Sequence, residues 1–159
     1  MKPKPIKRNE NIAKLSRDHH ASLMFCWKLR QGVKKDVELK RMQNYLSYFL
    51  VQHFTPHFRE EEDILFAPLK DEKVQKAIDD HVVILKKVAD VVNSESQDLV
   101  ADLISLADMV DAHVRYEERI LFPHLENKLS EKQLEDIGQQ ISHDAIKDNY
   151  EDEFWVKAK

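Results

Sequence analysis

Glycine occurs only twice in the 159 residues, at Gly32 and Gly138, and this scarcity constrains the fold more than any other feature of the chain. Two isolated glycines cannot build a GxGxxG or GxxxxGK loop, so dinucleotide and P-loop chemistry are excluded. The turns that many short strands require are also missing. Between the few breakers the chain is dominated by Leu, Ala, Glu, Lys, Gln and Met, all strong helix formers, so an all-α fold is expected. The length suits one domain with a real core. With 25 Lys and Arg against 29 Asp and Glu, a net charge of −4 and 42% hydrophobic residues, the composition argues against disorder. A single cysteine, Cys26, rules out an internal disulfide framework and a Cys-based zinc site. Met1 to Glu10 is rich in Pro and Lys without an apolar core, and no later run approaches about 18 apolar residues. A soluble cytoplasmic protein with no membrane association is therefore expected. The absence of a basic block makes nucleic acid an unexpected partner.

Pro3, Pro5, Gly32, Pro68, Pro123 and Gly138 interrupt segments in which apolar residues return every three or four positions, which is helical periodicity. The first helix is expected from about Ser16, its N-cap, to Arg30, with Leu15, His19, Leu23, Cys26 and Arg30 on one stripe and Gly32 ending it. The second follows Asp36 and carries Met42, Leu46, Phe49, His53, His57, Glu61, Ile64 and Leu65 up to Pro68. Pro56 lies inside it and predicts a kink near His57. The third, from about Glu72, presents Val74, Ile78, His81, Leu85, Val88 and Val92. The fourth, after Ser96, presents Leu99, Leu103, Leu106, Val110, His113, Glu117 and Leu121 up to Pro123. A fifth begins at a capping box of Ser130 and Gln133 and presents Leu134, Ile137, Ile141, Ala145, Tyr150 and Phe154. Short connections imply antiparallel neighbours, hence an antiparallel up-down four-helix bundle with an additional C-terminal helix. Residues 1–14 read as an N-terminal extension, 15–127 as the bundle and 128–159 as the C-terminal helix packed on it.

The chain also repeats. His57 to Phe66 and His113 to Phe122 both read HxRxEExILF, and Asp18-His19 with Leu23 is matched by Asp80-His81 with Leu85. The unit is a histidine, a loop, then HxxxE, used twice. Residues four apart on a helix point the same way one turn apart, so His57 shares a face with Glu61, and His113 with Glu117. Glu62 and Glu118, about 140° round from those histidines, are expected to face away. The repeat prefers Glu61 over Glu60, whose counterpart is Tyr116, and His19 over His20, whose counterpart is Val82. Counting from the turn near Lys70 and Asp71 places Glu61 and His81 at similar heights, and all six groups can meet in one layer. Four imidazoles and two carboxylates inside a hydrocarbon core are costly without a shared partner, and a dinuclear metal centre supplies one. This ligand set suits iron, manganese or zinc without choosing among them. Of the other histidines, His53 lies one turn before His57 and is either a fifth ligand or a hydrogen-bonded core residue, its counterpart being Met109. His20, His124 and His143 are expected to be non-ligands.

The order His, HxxxE, His, HxxxE resembles the hemerythrin-like (HHE cation-binding) family of four-helix bundles over roughly Leu15 to Leu125. The resemblance implies a non-haem centre of two iron ions, with His19, His57, His81 and His113 as terminal ligands and Glu61 and Glu117 as bridges. Zinc or manganese is not excluded. The oxygen-carrying members differ in having a further histidine where this chain has Leu85, and an Asp where it has Glu118, which argues against reversible oxygen carriage. The four-His, two-Glu set is more similar to the repair-of-iron-centres proteins, whose Cys-containing N-terminal segment has no counterpart here.

Three functions follow from such a centre. The first is binding of a small ligand, oxygen, nitric oxide or peroxide, for sensing or stress protection. The second is an enzyme-like role in reducing peroxide or nitric oxide or in repairing iron centres. The third is a metal that simply staples the bundle. A metal- and ligand-binding protein is favoured over a conventional enzyme. Tyr116 lies beside the layer, as a donor to bound oxygen or as packing between helices, Cys26 is expected to be buried and apolar, and Phe154 and Trp155 to anchor the last helix to the bundle or to a second subunit of a homodimer.

Overall fold

The computed structural model describes residues 7–158, so Pro3 and Pro5 lie outside the described residues. Among these residues the regular structure is entirely helical. Helix α1 is Ala13–Lys34. Helix α2, residues 39–65, joins α-helical Leu39–Phe49 and Thr55–Glu60 through two wide π turns, Leu50–Phe54 and Glu61–Leu65. Helix α3 is Glu72–Val92. Helix α4, residues 100–128, runs from Val100–Tyr116 through a third π turn, Glu117–Leu121, into Phe122–Lys128. The short α5, Glu131–Gln140, follows. None of these helices is long and apolar enough to cross a membrane.

Two of the helices start where a side chain satisfies their free N–H groups. Asp71 accepts from the Val74 N–H at 3.0 Å at the head of α3, and the expected Ser130–Gln133 capping box opens α5. Ser16 does not cap α1, which begins three residues earlier without a side-chain cap; instead its hydroxyl donates to Glu118 Oε2 at 2.8 Å. Leu23 is exposed, and the buried face of α1 carries Leu15, His19, Ser22, Cys26 and Leu29. On α3, Ala77, Ile84 and Val91 are buried in place of the partly covered Ile78, Leu85 and Val92.

Both glycines lie in the last turn of a helix, two residues before its final residue. A Cβ on Gly32 would meet Met42 Sδ at 2.5 Å and Phe154 Cε2 at 3.0 Å, and one on Gly138 would meet Asn11 Oδ1 at 2.4 Å. Each is kept small by a chain segment pressed against the helix, a reason that no local pattern reveals. One of the expected proline effects also differs. Pro68 follows the end of α2, but Pro123 sits within α4, just after its π turn. Pro56 lies within α2 just after the π turn Leu50–Phe54, so the helix widens immediately upstream of the proline and continues through His57. The Thr55 hydroxyl donates to the Leu50 carbonyl at 2.8 Å within that turn.

Side chains fill the bundle as two apolar clusters. One contains Phe25, Tyr45, Phe49, Phe54, Ile84, Leu103 and Val110; the other contains Leu15, Leu65, Phe66, Ala77, Leu121, Phe122 and Leu125. On every long helix a histidine or glutamate stands between a residue of one cluster and a residue of the other, so a buried polar layer divides the core.

Beyond Gln140 the expected helix does not continue. Residues 141–158 form an irregular strap over the seam between α1 and α2. Phe154 is fully buried against Gly32 and Tyr45, the Lys28 ammonium lies 4.0 Å from the Trp155 ring centroid, and Arg41 pairs with Asp152 at 2.6 Å. Phe154 and Trp155 thus anchor this segment to its own bundle. An irregular chain needs side chains to satisfy its amides, and α1 and α2 provide them: Ile146 N–H donates to Asp18 and Asn149 N–H to the Tyr48 hydroxyl.

Candidate metal centre

All six groups selected by the repeat are buried in the dividing layer. They fall into two constellations, His19–His57–Glu61–Glu117 and Glu61–His81–His113–Glu117, each with one ligand atom per residue mutually within 4.8 Å. Both glutamates belong to both sets. His57 Nε2 is 3.3 Å from Glu61 Oε1, His81 Nε2 is 3.1 Å from the same oxygen, and His113 Nε2 is 3.3 Å from Glu117 Oε2. Among the described residues, His57, His81 and His113 Nε2, both Glu61 oxygens and Glu117 Oε2 are buried with no satisfactory hydrogen-bond partner. Such a concentration of unsatisfied donor atoms in one core is what a cation would relieve.

The outer ring nitrogens follow a rule. His19 Nδ1 reaches Glu118 at 2.8 Å, His57 Nδ1 reaches Asp18 at 3.0 Å, His81 Nδ1 reaches Glu62 at 2.7 Å and His113 Nδ1 reaches Asp80 at 3.1 Å. An ionised carboxylate only accepts, so each Nδ1 carries the proton and donates. In the neutral ring the Nε2 lone pair then points inward, the tautomer a metal ligand needs. Glu62 and Glu118 therefore do not face away from the site. They leave the inner stripe of their own helix, but reach the flank of a histidine on the neighbouring one. Straight-helix geometry treats one helix at a time and misses this, although their presence in both copies of the repeat, like that of Asp18 and Asp80, was a signal.

Electrostatics describe the cation-free layer. Burial alone lowers the pKa of His19, but hydrogen bonds to Glu117, Glu118 and Glu61 outweigh it and hold the imidazole well above its ordinary 6.5. His81 is also held well above that value, burial being outweighed by the facing carboxylates of Glu117, Glu61 and Glu62, and His57 and His113 are raised, burial being overcome chiefly by the charges of Glu61 and Glu117. Burial works against ionised Glu61 and Glu117 too, yet the facing histidines keep both below the ordinary 4.5. Protons on the histidines thus do the neutralising that cations would do.

The sign of the pH dependence follows. A raised histidine pKa contributes stability fully present below 6.5 and lost as pH rises through the raised value. A lowered glutamate pKa contributes stability present above 4.5 and lost as pH falls through the lowered value. Chelator-treated protein is expected to lose thermal stability as pH rises above 6.5, whereas divalent metal, competing with those same protons, should bind more tightly in the same direction. Melting curves across pH with and without metal check both, and parallel curves would contradict the competition.

The remaining histidines lie outside both constellations. His53 is driven to about 3 by burial and by the His57 charge, so it is neutral; it meets Ser22 Oγ at 3.0 Å and stacks on Phe49. His20 and His143 are exposed, and His124 pairs with Asp71 at 2.6 Å. The Tyr116 hydroxyl donates to the Lys73 carbonyl at 2.7 Å and so is directed away from the layer. Cys26 is buried, its thiol pushed up to about 12 chiefly by that burial, which removes it from thiolate chemistry. Aromatic rings line the layer: Phe58 stacks on His81 at 3.8 Å and Phe122 on His19 at 5.3 Å.

Fold and site together define an all-α cation-binding protein. The family model described as the hemerythrin HHE cation binding domain matches residues 10–125, most of the chain, which belongs to that family. Neither the curated proteins nor the solved structures contain a significant match.

Proposed function

We propose that this chain is a hemerythrin-like non-haem di-iron protein, with His19, His57, His81 and His113 as terminal ligands and Glu61 and Glu117 spanning both ions, and that it binds a small ligand, oxygen, nitric oxide or peroxide, in sensing or stress protection. The observation that carries the reading is the pair of constellations sharing both glutamates, with inner donor atoms buried and unsatisfied. Two shared carboxylates offset cation charge at the point where two cations would approach each other, which a single-metal staple would not need. Bound iron would supply redox chemistry and open coordination positions, since six protein ligands divided over two ions leave several free.

The rest of the work falls to the chain. Asp18, Glu62, Asp80 and Glu118 orient the four imidazoles, and Phe58, Phe66 and Phe122 limit water around them. The test is metal identity and stoichiometry in freshly purified protein, followed by spectra of the anaerobic reduced protein exposed to oxygen and to nitric oxide. Two irons per chain with reversible spectral changes are expected. One zinc per chain would overturn the di-iron reading, turnover would move the protein to the enzyme class, and spectral silence would leave a structural metal.

A further inference from the structure

The repeat makes the two halves of the layer alike, and the segments flanking it make them unequal. Both copies carry a lysine four residues before the aspartate: Lys14 pairs with Asp18 at 2.9 Å and Lys76 with Asp80 at 2.9 Å. There the equivalence ends. Asp18, behind His57, is fully buried, and its second oxygen accepts the Ile146 N–H of the strap at 2.8 Å. Glu118, behind His19, accepts from Ser16 at 2.8 Å and pairs with Arg8 at 3.4 Å, while Arg8 also donates to the Glu118 carbonyl at 2.8 Å and pairs with Glu126 at 2.7 Å. Arg8 and Ile146 both lie outside residues 10–125, the span of the family match.

The other half has no such support. Glu62, behind His81, is 34% exposed and has no cationic partner other than that histidine among the described residues. It lines an open surface cavity of about 590 Å³ together with Phe66, Lys70 and Gln75. Asp80, behind His113, is 28% exposed, close to the 26% of Glu118, but its lysine is 53% exposed where Lys14 and Arg8 are each 6% exposed. An ion pair in that setting is weak and leaves the carboxylate free to move.

We propose that the two halves hold metal unequally: the His19–His57 half retains its ion because the strap and the N-terminal segment clamp its outer carboxylates, and the His81–His113 half exchanges its ion with solvent beside the Glu62 cavity. This rests on the ligand assignment proposed above. Groups that orient a ligating histidine change metal affinity by about 10- to 100-fold, so the difference in release is expected to reach about 10-fold or more.

The experiment loads the full chain anaerobically with two equivalents of ferrous ion and follows release to a chromogenic ferrous chelator. Two phases of equal amplitude are expected. Ile146→Pro, which removes the N–H donated to Asp18, should accelerate the slow phase alone, and Ile146→Ala, which keeps it, should not. Glu62→Gln should accelerate the fast phase alone. Should Ile146→Pro disturb the fold, as judged by circular dichroism, Arg8→Met carries the same expectation through Glu118. Two equivalents released in a single phase, or a strap variant that acts on the fast phase, would overturn the inequality while leaving the ligand assignment standing. Failure to bind ferrous ion would overturn that assignment, and this inference with it.

Discussion

Replacing His57 and Glu61 together by alanine is expected to abolish iron retention while leaving a folded bundle. Glu61 faces His57, His81 and His19 at 3.3, 3.1 and 3.6 Å and belongs to both constellations, so its loss takes a donor from each half. His57 removes a second donor from one of them. Outer partners alone are worth about 10- to 100-fold in affinity, and direct ligands are expected to exceed that. The fold should survive, because the two apolar clusters on either side of the layer do not depend on either residue. Elemental analysis after desalting, with circular dichroism as the control for folding, measures both. Full occupancy in the double variant would end the metal assignment.

The second large effect is expected far from the layer. Phe154→Ala should destabilise the protein by about 3–5 kcal/mol, the range for removing a fully buried phenylalanine. Phe154 is completely enclosed, with Tyr45 at 5.4 Å between ring centroids and Trp155 at 5.0 Å, and it presses on the bare Cα of Gly32. Side-chain hydrogen bonds from Lys28, Lys35 and Arg41 still tie the strap to α1 and α2, so the loss comes from the vacated aromatic contact. A loss of this size is comparable with the lower end of a domain's whole stability. Denaturant unfolding gives the free energy, and a red shift of Trp155 fluorescence reports strap detachment. A change below about 1 kcal/mol would show that the strap is not integral to the fold.

The two glycines illustrate how far local reading carries. Their scarcity correctly signals long helices, because a chain without turn residues and phosphate loops has few other options. Their individual roles were not legible. Gly32 reads as a helix end and does lie in the last turn of α1, but what keeps it and Gly138 small is the close approach of Phe154, Met42 and Asn11. Pro123 reads as a helix end and is not one, since the π turn before it lets the helix run on.

The six groups of the layer could be selected without coordinates because their relations are local or repeated. Residues four apart on a helix share a face whatever the helix packs against, and duplication separates Glu61 from Glu60 and His19 from His20. The carboxylates that orient the histidines depend on which helix lies beside which, how the helices are rotated and where each π turn falls, all properties of the packed bundle. The clamps at Arg8 and Ile146 require contacts across 110 and 128 residues of chain, respectively. Helical periodicity carries information over a few turns, whereas contacts at that separation are set by closure of the whole core. The sequence by itself therefore determined the four long helices and which six groups form the inner ring, and only the tertiary structure decided the strap beyond Gln140 and the unequal surroundings of the two halves of that ring.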